Sequence, residues 1–217
     1  MENDFKMPRA EDIIKRSEEF QAEAEAVLKE SGIATVWRDA GCRVEIVGSM
    51  RMRLMANHRD IDLHVYSQVV TEADSFAIAA KIAKNPKVKE IKCINGLMTD
   101  EHCIAWHFIY EGHNGKLWQF DVIHIVEGSR YDGYFEEMAD RIIAHSTPEQ
   151  RETILRLKLE STDYQEGTPP EDSIQGPIHG VEYYEGVINH DITTLDQLRQ
   201  WVISRRKQPF HYWMPGG

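Results

Sequence analysis

Apolar and polar residues alternate one by one in three stretches near the middle of the chain. These stretches cover residues 60–66, 102–110 and 117–126, and such alternation is the pattern of a strand with one buried face. The segment EGHNGK separates the last two stretches, so they are predicted to pair as a β-hairpin. Shorter strands are predicted over 43–47 and 88–94. The pattern therefore predicts a β-sheet in the central part of the chain.

Apolar residues recur at helical spacing before, within and after this predicted sheet. The segment TPEQ at 147–150 predicts a helix start, because Thr can cap the helix, Pro suits its first turn and Gln can close a capping box. The simplest division is an α/β domain over 1–128 followed by a helical region over 129–217. Helices are predicted over about 8–30, on to residue 40, over 71–84, around 135–143, from 147, near 179–189 and near 194–206.

Composition predicts an ordinary globular chain of the cytoplasm. The 217 residues are 41% hydrophobic and 28% charged, and no run approaches the roughly 18 apolar residues of a membrane helix. The N-terminus is charged and lacks the apolar centre of a signal peptide. The three cysteines are widely spaced and are predicted to be reduced. No membrane partner is expected.

The net charge changes the expectation about partners. The chain carries 25 basic and 36 acidic residues, a formal charge of −11. Such a chain releases few counterions on binding DNA or RNA, which argues against nucleic acid as a partner. A cationic small molecule, such as an aminosugar, is favoured instead. The pattern gives no indication of the oligomeric state.

The stretch VGSMRMRLMANHRDIDLHV, residues 47–65, contains the most informative motif. Asp60 and Asp62 are two positions apart on a predicted strand, so both carboxylates project from the same face. Adjacent carboxylates repel each other unless they are exposed or share a cation. A hard divalent ion such as Mg²⁺ suits them, since it is held by a few carboxylates together with substrate phosphates. Taken alone, the same pair also fits a solvated strand face.

The residues before this pair predict a phosphate site. Gly48 lacks a Cβ atom that would block a close approach of the backbone, and Ser49 adds a hydroxyl. The interval from 50 to 59 is predicted to be a basic loop, because it holds three arginines and no acid. Arg51 and Arg53 are candidate phosphate contacts, although they also fit plain surface charges.

A third carboxylate would complete a metal site or accept a proton from an attacking hydroxyl. Asp121 is the candidate, because it is the one acidic residue inside the otherwise apolar strand WQFDVIHIV. If its strand lies beside that of Asp60 and Asp62, the three carboxylates converge. An ion-paired structural acid is the alternative for Asp121. His107 is interpreted as a structural histidine. His64 shares the carboxylate face and is interpreted as structural too, with a hydrogen-bonding or substrate-facing role as the alternative.

The order and spacing of these residues resemble the nucleotidyltransferase superfamily whose fold is typified by DNA polymerase β. The resemblance covers roughly residues 43–126. It implies an α+β fold, with a mixed β-sheet core flanked by helices and a helical C-terminal region. By position, Gly48 and Ser49 match the phosphate-contacting pair, Asp60 and Asp62 the metal ligands, and Asp121 the third acid, which helps to bind metal and activates the nucleophile.

The resemblance further implies transfer of a nucleoside monophosphate from a nucleoside triphosphate, such as ATP, to a hydroxyl, with two Mg²⁺ ions as cofactors. The expected acceptor is a small hydroxylated molecule, as for antibiotic-modifying members of the superfamily. Two alternatives stay open. The chain could bind nucleotide without catalysis, or it could act on a nucleic acid or a protein.

Overall fold

A five-stranded mixed sheet forms the centre of the fold. The computed structural model describes residues 9–113, 115–161, 177–208 and 213–216. The strand order is β1-β2-β5-β4-β3, in which β2 and β5 are parallel and every other neighbouring pair is antiparallel. The strands are β1 (Arg43–Ile46), β2 (Asp60–Ser67), β3 (Val88–Asn95), β4 (Cys103–Glu111) and β5 (Leu117–Val126). All five predicted strands and the predicted hairpin are confirmed.

Helices flank the sheet and make up the C-terminal region, so the predicted α+β class is confirmed. The sequence pattern predicted every described helix except the third. The helices are α1 (Ala10–Ser31), α2 (Ile33–Asp39), α3 (Gly48–Met52), α4 (Glu72–Ile82), α5 (Tyr134–His145), α6 (Pro148–Glu160), α7 (Gly180–His190) and α8 (Leu195–Arg205).

The predicted helix start at 147–150 is confirmed in atomic detail. The Thr147 hydroxyl accepts a hydrogen bond from the Gln150 backbone N–H at 3.2 Å, and the Gln150 side chain accepts one from the Thr147 N–H at 3.0 Å. This reciprocal pair is a capping box, and Pro148 occupies the first turn. The local sequence alone therefore determines where α6 begins.

Helix α3 replaces the first part of the predicted basic loop. Met50 and Met52 are 4% and 1% exposed, and the Gln21 side-chain amide donates to the Met50 carbonyl oxygen at 3.0 Å. A helix of five residues has too short a pattern to show a periodicity in sequence. Burial of the two methionines and the contact from α1 select this conformation, and neither is visible locally.

One face of the sheet carries a continuous apolar layer that packs against helices. Trp37 of α2 makes an edge contact with His124 at 4.9 Å between ring centroids, and Phe76 of α4 makes one with Trp106 at 4.8 Å. Sheet residues on this face are at most 2% exposed: Ile61, Leu63, Val65, Ile104, Trp106, Phe108, Tyr110, Trp118, Phe120, Val122 and His124. The alternation of β2, β4 and β5 thus separates this apolar face from the face that carries the acids, here called the polar face. One end of the polar face also holds a small buried cluster of Tyr66, Cys103 and Ile125.

The described chain groups into two compact units. One takes in the described parts of Gln21–Met52 and Arg59–Asp140, which include the whole sheet. The other takes in the described parts of Met1–Phe20, Arg53–His58 and Arg141–Gly217. The two-domain division predicted at residue 128 stays a prediction. Within the described ranges, no helix is long and apolar enough to cross a membrane.

Candidate active site on the polar face of the sheet

The structure brings the three predicted carboxylates to one face of two neighbouring strands. Strands β2 and β5 run in parallel, with Asp62 directly opposite Asp121 and Asp60 opposite Gln119. Register partners on adjacent strands share a face, and neighbouring strands are about 4.8 Å apart. The strand adjacency that the sequence argument required is therefore present. The metal-binding and catalytic roles of the three residues stay predictions.

Gly48 lies against the side chain of Asp62. A Cβ atom at position 48 would come 2.0 Å from Asp62 Oδ2 and 2.7 Å from its Cγ. The Gly48 φ angle is +63°, a left-handed conformation that favours glycine. The adjacent Val47 N–H donates to the Asp62 carbonyl oxygen at 3.0 Å. The Gly-Ser segment and the Asp-x-Asp strand are thus in direct contact, and glycine is required there by geometry alone.

Two donors converge on the carboxylate of Asp121. His107 is its register partner on β4, and His107 Nδ1 is 2.5 Å from Asp121 Oδ1. The Gln119 side-chain amide is 2.9 Å from Oδ1 and 3.0 Å from Oδ2. Both Asp121 and His107 are about three-quarters buried at the side chain. Asp121 is therefore hydrogen-bonded on the polar face, and it does not point into the apolar core.

The basic residues predicted to contact phosphate have protein partners. The Arg51 guanidinium donates to the two carboxylate oxygens of Asp140 at 2.9 and 3.0 Å, and Glu45 is 3.6 Å away. The hydrogen bond to Asp140 raises the pKa of Arg51 further above its usual value. Arg53 has a positive φ of 56°, and its carbonyl oxygen accepts from Arg151 at 3.4 Å. Ser49 is half-buried at the start of α3.

The polar face is covered further along β2. His64 is 6% exposed, and its ring meets Phe135 edge-on at 5.0 Å. Burial lowers the pKa of His64 to about 4. The neighbouring Tyr66 hydroxyl donates to Glu136 at 2.6 Å, and the Arg43 guanidinium is 3.8 Å from the Tyr66 ring centroid. Burial, followed by Glu136, raises the pKa of Tyr66.

Comparison of this chain with solved structures shows which fold it has. A Cid1 structure described for its RNA terminal uridylyl transferase activity matches with 13% identity and a TM-score of 0.55, over 84% of this chain and 52% of that chain. A mutant of the Cid1 poly(U) polymerase bound to MgATP matches with 13% identity and a TM-score of 0.56, over 85% and 57%. The chain has the nucleotidyltransferase fold typified by DNA polymerase β.

The nucleotidyltransferase fold is shown by structure alone. No family model matches the sequence, and no curated protein matches it significantly. This chain spans about half the length of the solved structures that it matches. The resemblance predicted from the Gly-Ser and Asp-x-Asp motif is confirmed at the level of the fold, at an identity too low for a whole-sequence match to show it.

The donor set on this nucleotidyltransferase fold fits Mg²⁺ bound together with phosphate. Within the described ranges, no group of three His, Cys, Asp or Glu side chains is arranged to hold a metal ion unaided. Mg²⁺ does not require such a group, because it is usually held by one or two carboxylates, substrate phosphates and water. Asp62 and Asp121, opposite each other on adjacent strands, offer oxygen ligands of the right kind.

Sequence reasoning missed the contact between His107 and Asp121. The two residues lie on different predicted strands, and His107 lacks the spacing of a metal ligand. The signal was the hairpin itself. A hairpin fixes the register of its strands, so residues on one face can be paired once the turn is located. The structure pairs these two residues directly.

Proposed function

We propose that this chain catalyses Mg²⁺-dependent transfer of a nucleoside monophosphate from a nucleoside triphosphate to a hydroxyl group. The observation that carries the proposal is the juxtaposition of Asp62 and Asp121 on parallel neighbouring strands, with Gly48 against Asp62. Asp60 shares their face two positions away. The fold and this arrangement support a nucleotidyltransferase activity, and they do so without any sequence match to a known family.

The carboxylates and the Gly-Ser segment have distinct roles in this proposal. Asp60, Asp62 and Asp121 would hold the two Mg²⁺ ions, and Gly48 and Ser49 would contact the triphosphate. Bound Mg²⁺ supplies charge neutralisation on the phosphates and lowers the pKa of a hydroxyl beside it. Asp121 would orient the acceptor hydroxyl and accept its proton. The acceptor oxygen then forms a bond to the α-phosphorus, the bond to the bridging oxygen breaks, and pyrophosphate leaves.

Arg51 and Arg53 would add positive charge near the phosphates. Arg51 already donates two hydrogen bonds to Asp140, so a phosphate contact requires it to exchange or share that partner. Arginine suits such an exchange, because carboxylate and phosphate accept the same bidentate geometry. ATP is the first nucleotide to test, since a matched structure carries MgATP. The cytoplasm stays the predicted location.

The acceptor is either a small hydroxylated molecule or the end of an RNA strand. The solved structure with RNA terminal uridylyl transferase activity supports the RNA candidate. This conflicts with the expectation from sequence that nucleic acid is not a partner. That expectation was drawn from the charge of the whole chain, and a sum of −11 does not describe the charge around one site.

The proposal predicts labelled products that depend on Asp62. The chain is incubated with Mg²⁺, each labelled nucleoside triphosphate and two acceptor panels, short RNA oligonucleotides and aminosugars. Asp62→Asn removes one carboxylate without changing size. Loss of several kcal/mol of charge stabilisation would lower the transfer rate by about 10³-fold or more. The matched control is Asp196→Asn, because that side chain is 95% exposed on α8.

The two panels decide the acceptor, and the variants decide the site. Equal rates for wild type and Asp62→Asn would overturn the site assignment. Calorimetric binding of nucleotide, with no transfer to either panel, would support a nucleotide-binding protein without catalysis. Labelled RNA that is longer by one or more nucleotides would select the RNA candidate over the small molecule.

A further inference from the structure

Two side chains hold the carboxylate of Asp121 through three short contacts. Its Oδ1 atom receives His107 at 2.5 Å and Gln119 at 2.9 Å, and its Oδ2 atom receives Gln119 at 3.0 Å. The donors come from two strands, β4 and β5. Because they approach from different directions, they restrict rotation of the carboxylate about both of its side-chain torsions.

His107 lies on the side of Asp121 that is away from Asp62. The sheet order places β2, β5 and β4 next to one another, and Asp62, Asp121 and His107 are successive register partners across these strands. A donor on the β4 side can hold Asp121 without occupying the space between the two carboxylates. A residue that supports Asp121 while Asp121 and Asp62 bind the same cation is expected on the β4 side.

The contact with Asp121 orients the imidazole ring of His107. With the carboxylate as acceptor, His107 Nδ1 donates the hydrogen that it shares with Asp121 Oδ1. The ring is therefore oriented by its own contact, whichever form the second nitrogen takes. Such a contact from histidine to carboxylate defines one position for the oxygen.

The contact between His107 and Asp121 is partly shielded from solvent. The two side chains are 28% and 23% exposed, so the hydrogen bond between them is stronger than one on an open surface. The apolar residues on the other face of the same strands provide the stabilising burial. A directional hydrogen bond on a carboxylate that is a candidate metal ligand points to a role in organising the site, in addition to what it contributes to folding.

We propose that His107 is a positioning residue, which fixes the carboxylate of Asp121 for a divalent cation and for the acceptor hydroxyl, with Gln119 as its second support. The inference rests on the proposed function. Residues that orient metal-binding carboxylates typically contribute 10–100-fold to metal affinity or activity. His107 itself does not touch the reacting atoms.

Two substitutions at residue 107 separate the effect of its hydrogen bond to Asp121 from the effect of its side-chain volume. His107→Leu keeps an apolar group of similar size but removes the donor, so we expect kcat to fall about 10–100-fold with a small change in the KM for nucleotide. His107→Asn places an amide N–H where Nδ1 was and is expected to restore kcat toward wild type. The matched controls are His113→Leu and His113→Asn, since that side chain is 60% exposed in the hairpin loop.

A metal-binding measurement makes the test independent of activity. Mn²⁺ is titrated in the presence of a non-hydrolysable nucleotide and its binding is monitored by electron paramagnetic resonance. The affinity for Mn²⁺ should be about 10-fold weaker in His107→Leu and near the wild-type value in His107→Asn. The imidazole proton shared with Asp121 should give a downfield NMR signal that is absent in Asp121→Asn. Melting temperatures of all variants verify that the chain is folded.

The outcomes distinguish the two proposals. Wild-type kcat and Mn²⁺ affinity in His107→Leu would overturn the positioning role, and so would equal losses in His107→Leu and His107→Asn. If wild type transfers nothing to any acceptor, the proposed function fails. The Mn²⁺ titration and the shared-proton signal would still decide whether His107 orients Asp121.

Discussion

The polar face of the sheet has two ends that are built on opposite principles. At one end, His64 and Tyr66 are buried, and the Tyr66 hydroxyl is satisfied by Glu136. At the other end, Asp62 and Asp121 are half-buried and opposite each other, although both carry negative charge. The covered end follows the rule that buried polar groups find partners. The carboxylate end places like charges together, which folding alone does not favour.

This contrast indicates where function and stability separate along one strand. Strand β2 contributes residues to both ends of the polar face. Its residues alternate between the two faces along its whole length, and those on the apolar face are buried at both ends. The polar positions differ only in their neighbours. Residues at the covered end should affect stability when they are changed, and carboxylates that face like charges should affect activity more than stability. Three predictions test this division, in order of decreasing effect.

The largest effect is expected where Gly48 meets Asp62. In Gly48→Ala, the left-handed conformation costs about 1–2 kcal/mol, and the overlap with the Asp62 carboxylate adds an overpacking cost of about 1–3 kcal/mol. The free energy of unfolding, measured with urea, should fall by the sum. In an Asp62→Ala background the carboxylate is gone, so the same substitution should cost little more than the conformational part.

This double-mutant cycle isolates one contact. Gly32→Ala is the matched control, because Gly32 has a φ of +68° but an added Cβ would meet nothing within 4 Å. Its cost should be slightly below that of Gly48→Ala in the Asp62→Ala background, because the Cβ atom of residue 62 would still lie 3.1 Å from the Cβ added at position 48. An unchanged cost of Gly48→Ala in both backgrounds would show that Asp62 does not constrain position 48.

The sequence alone could predict the parts of this contrast that depend on local patterns. The alternation of β2 and β5 indicates which residues share a face, and TPEQ indicates where α6 begins. Both features depend only on residues that are close together in the sequence. The Gly-Ser and Asp-x-Asp segments could be recognised by order and spacing, and the fold they indicated is confirmed.

The remaining features depend on residues far apart in the chain. Helix α3 forms because Met50 and Met52 are buried, and Arg51 is paired with Asp140, 89 positions later. No local pattern contains either fact. The partners of Asp121 required the hairpin register, which the turn indicated but the strand pattern alone did not fix. Sequence reasoning therefore predicted the elements, and the face that the candidate acids share, better than the partners of the charged side chains.

A smaller effect is expected from the covered end when the pH falls. Burial lowers the pKa of His64 to about 4, below the value of about 6.5 for an unfolded chain. The unfolded chain then binds more protons between these values, so stability is complete above about pH 6.5 and is lost as the pH falls toward 4. Between pH 7 and pH 5, the effect of His64 should lower the free energy of unfolding of the protein by about 2 kcal/mol.

His124 should contribute a loss of the same sign from the apolar face. Burial lowers its pKa to about 4 as well, and its ring contacts the hydroxyls of Ser67 and Ser75. Urea unfolding of wild type and of His64→Gln at several pH values separates the two residues. The variant should show a shallower loss below pH 6.5. Identical slopes in wild type and His64→Gln would contradict the assignment.

The smallest effect is expected at the carboxylate end, and its sign is the most informative. Asp62 has the carboxylate of Asp121 as its register partner, whereas Asp60 has the neutral Gln119. Like charges on neighbouring strands destabilise by up to about 1 kcal/mol. Without divalent cations and at low salt, Asp62→Asn should therefore raise the free energy of unfolding by a few tenths of a kcal/mol to about 1 kcal/mol, and Asp60→Asn by less.

Added Mg²⁺ with nucleotide should make wild type more stable than Asp62→Asn, because wild type would then gain binding energy that the variant lacks. A loss of stability in Asp62→Asn under cation-free conditions would mean that the Asp62 carboxylate stabilises the fold, like the residues at the covered end.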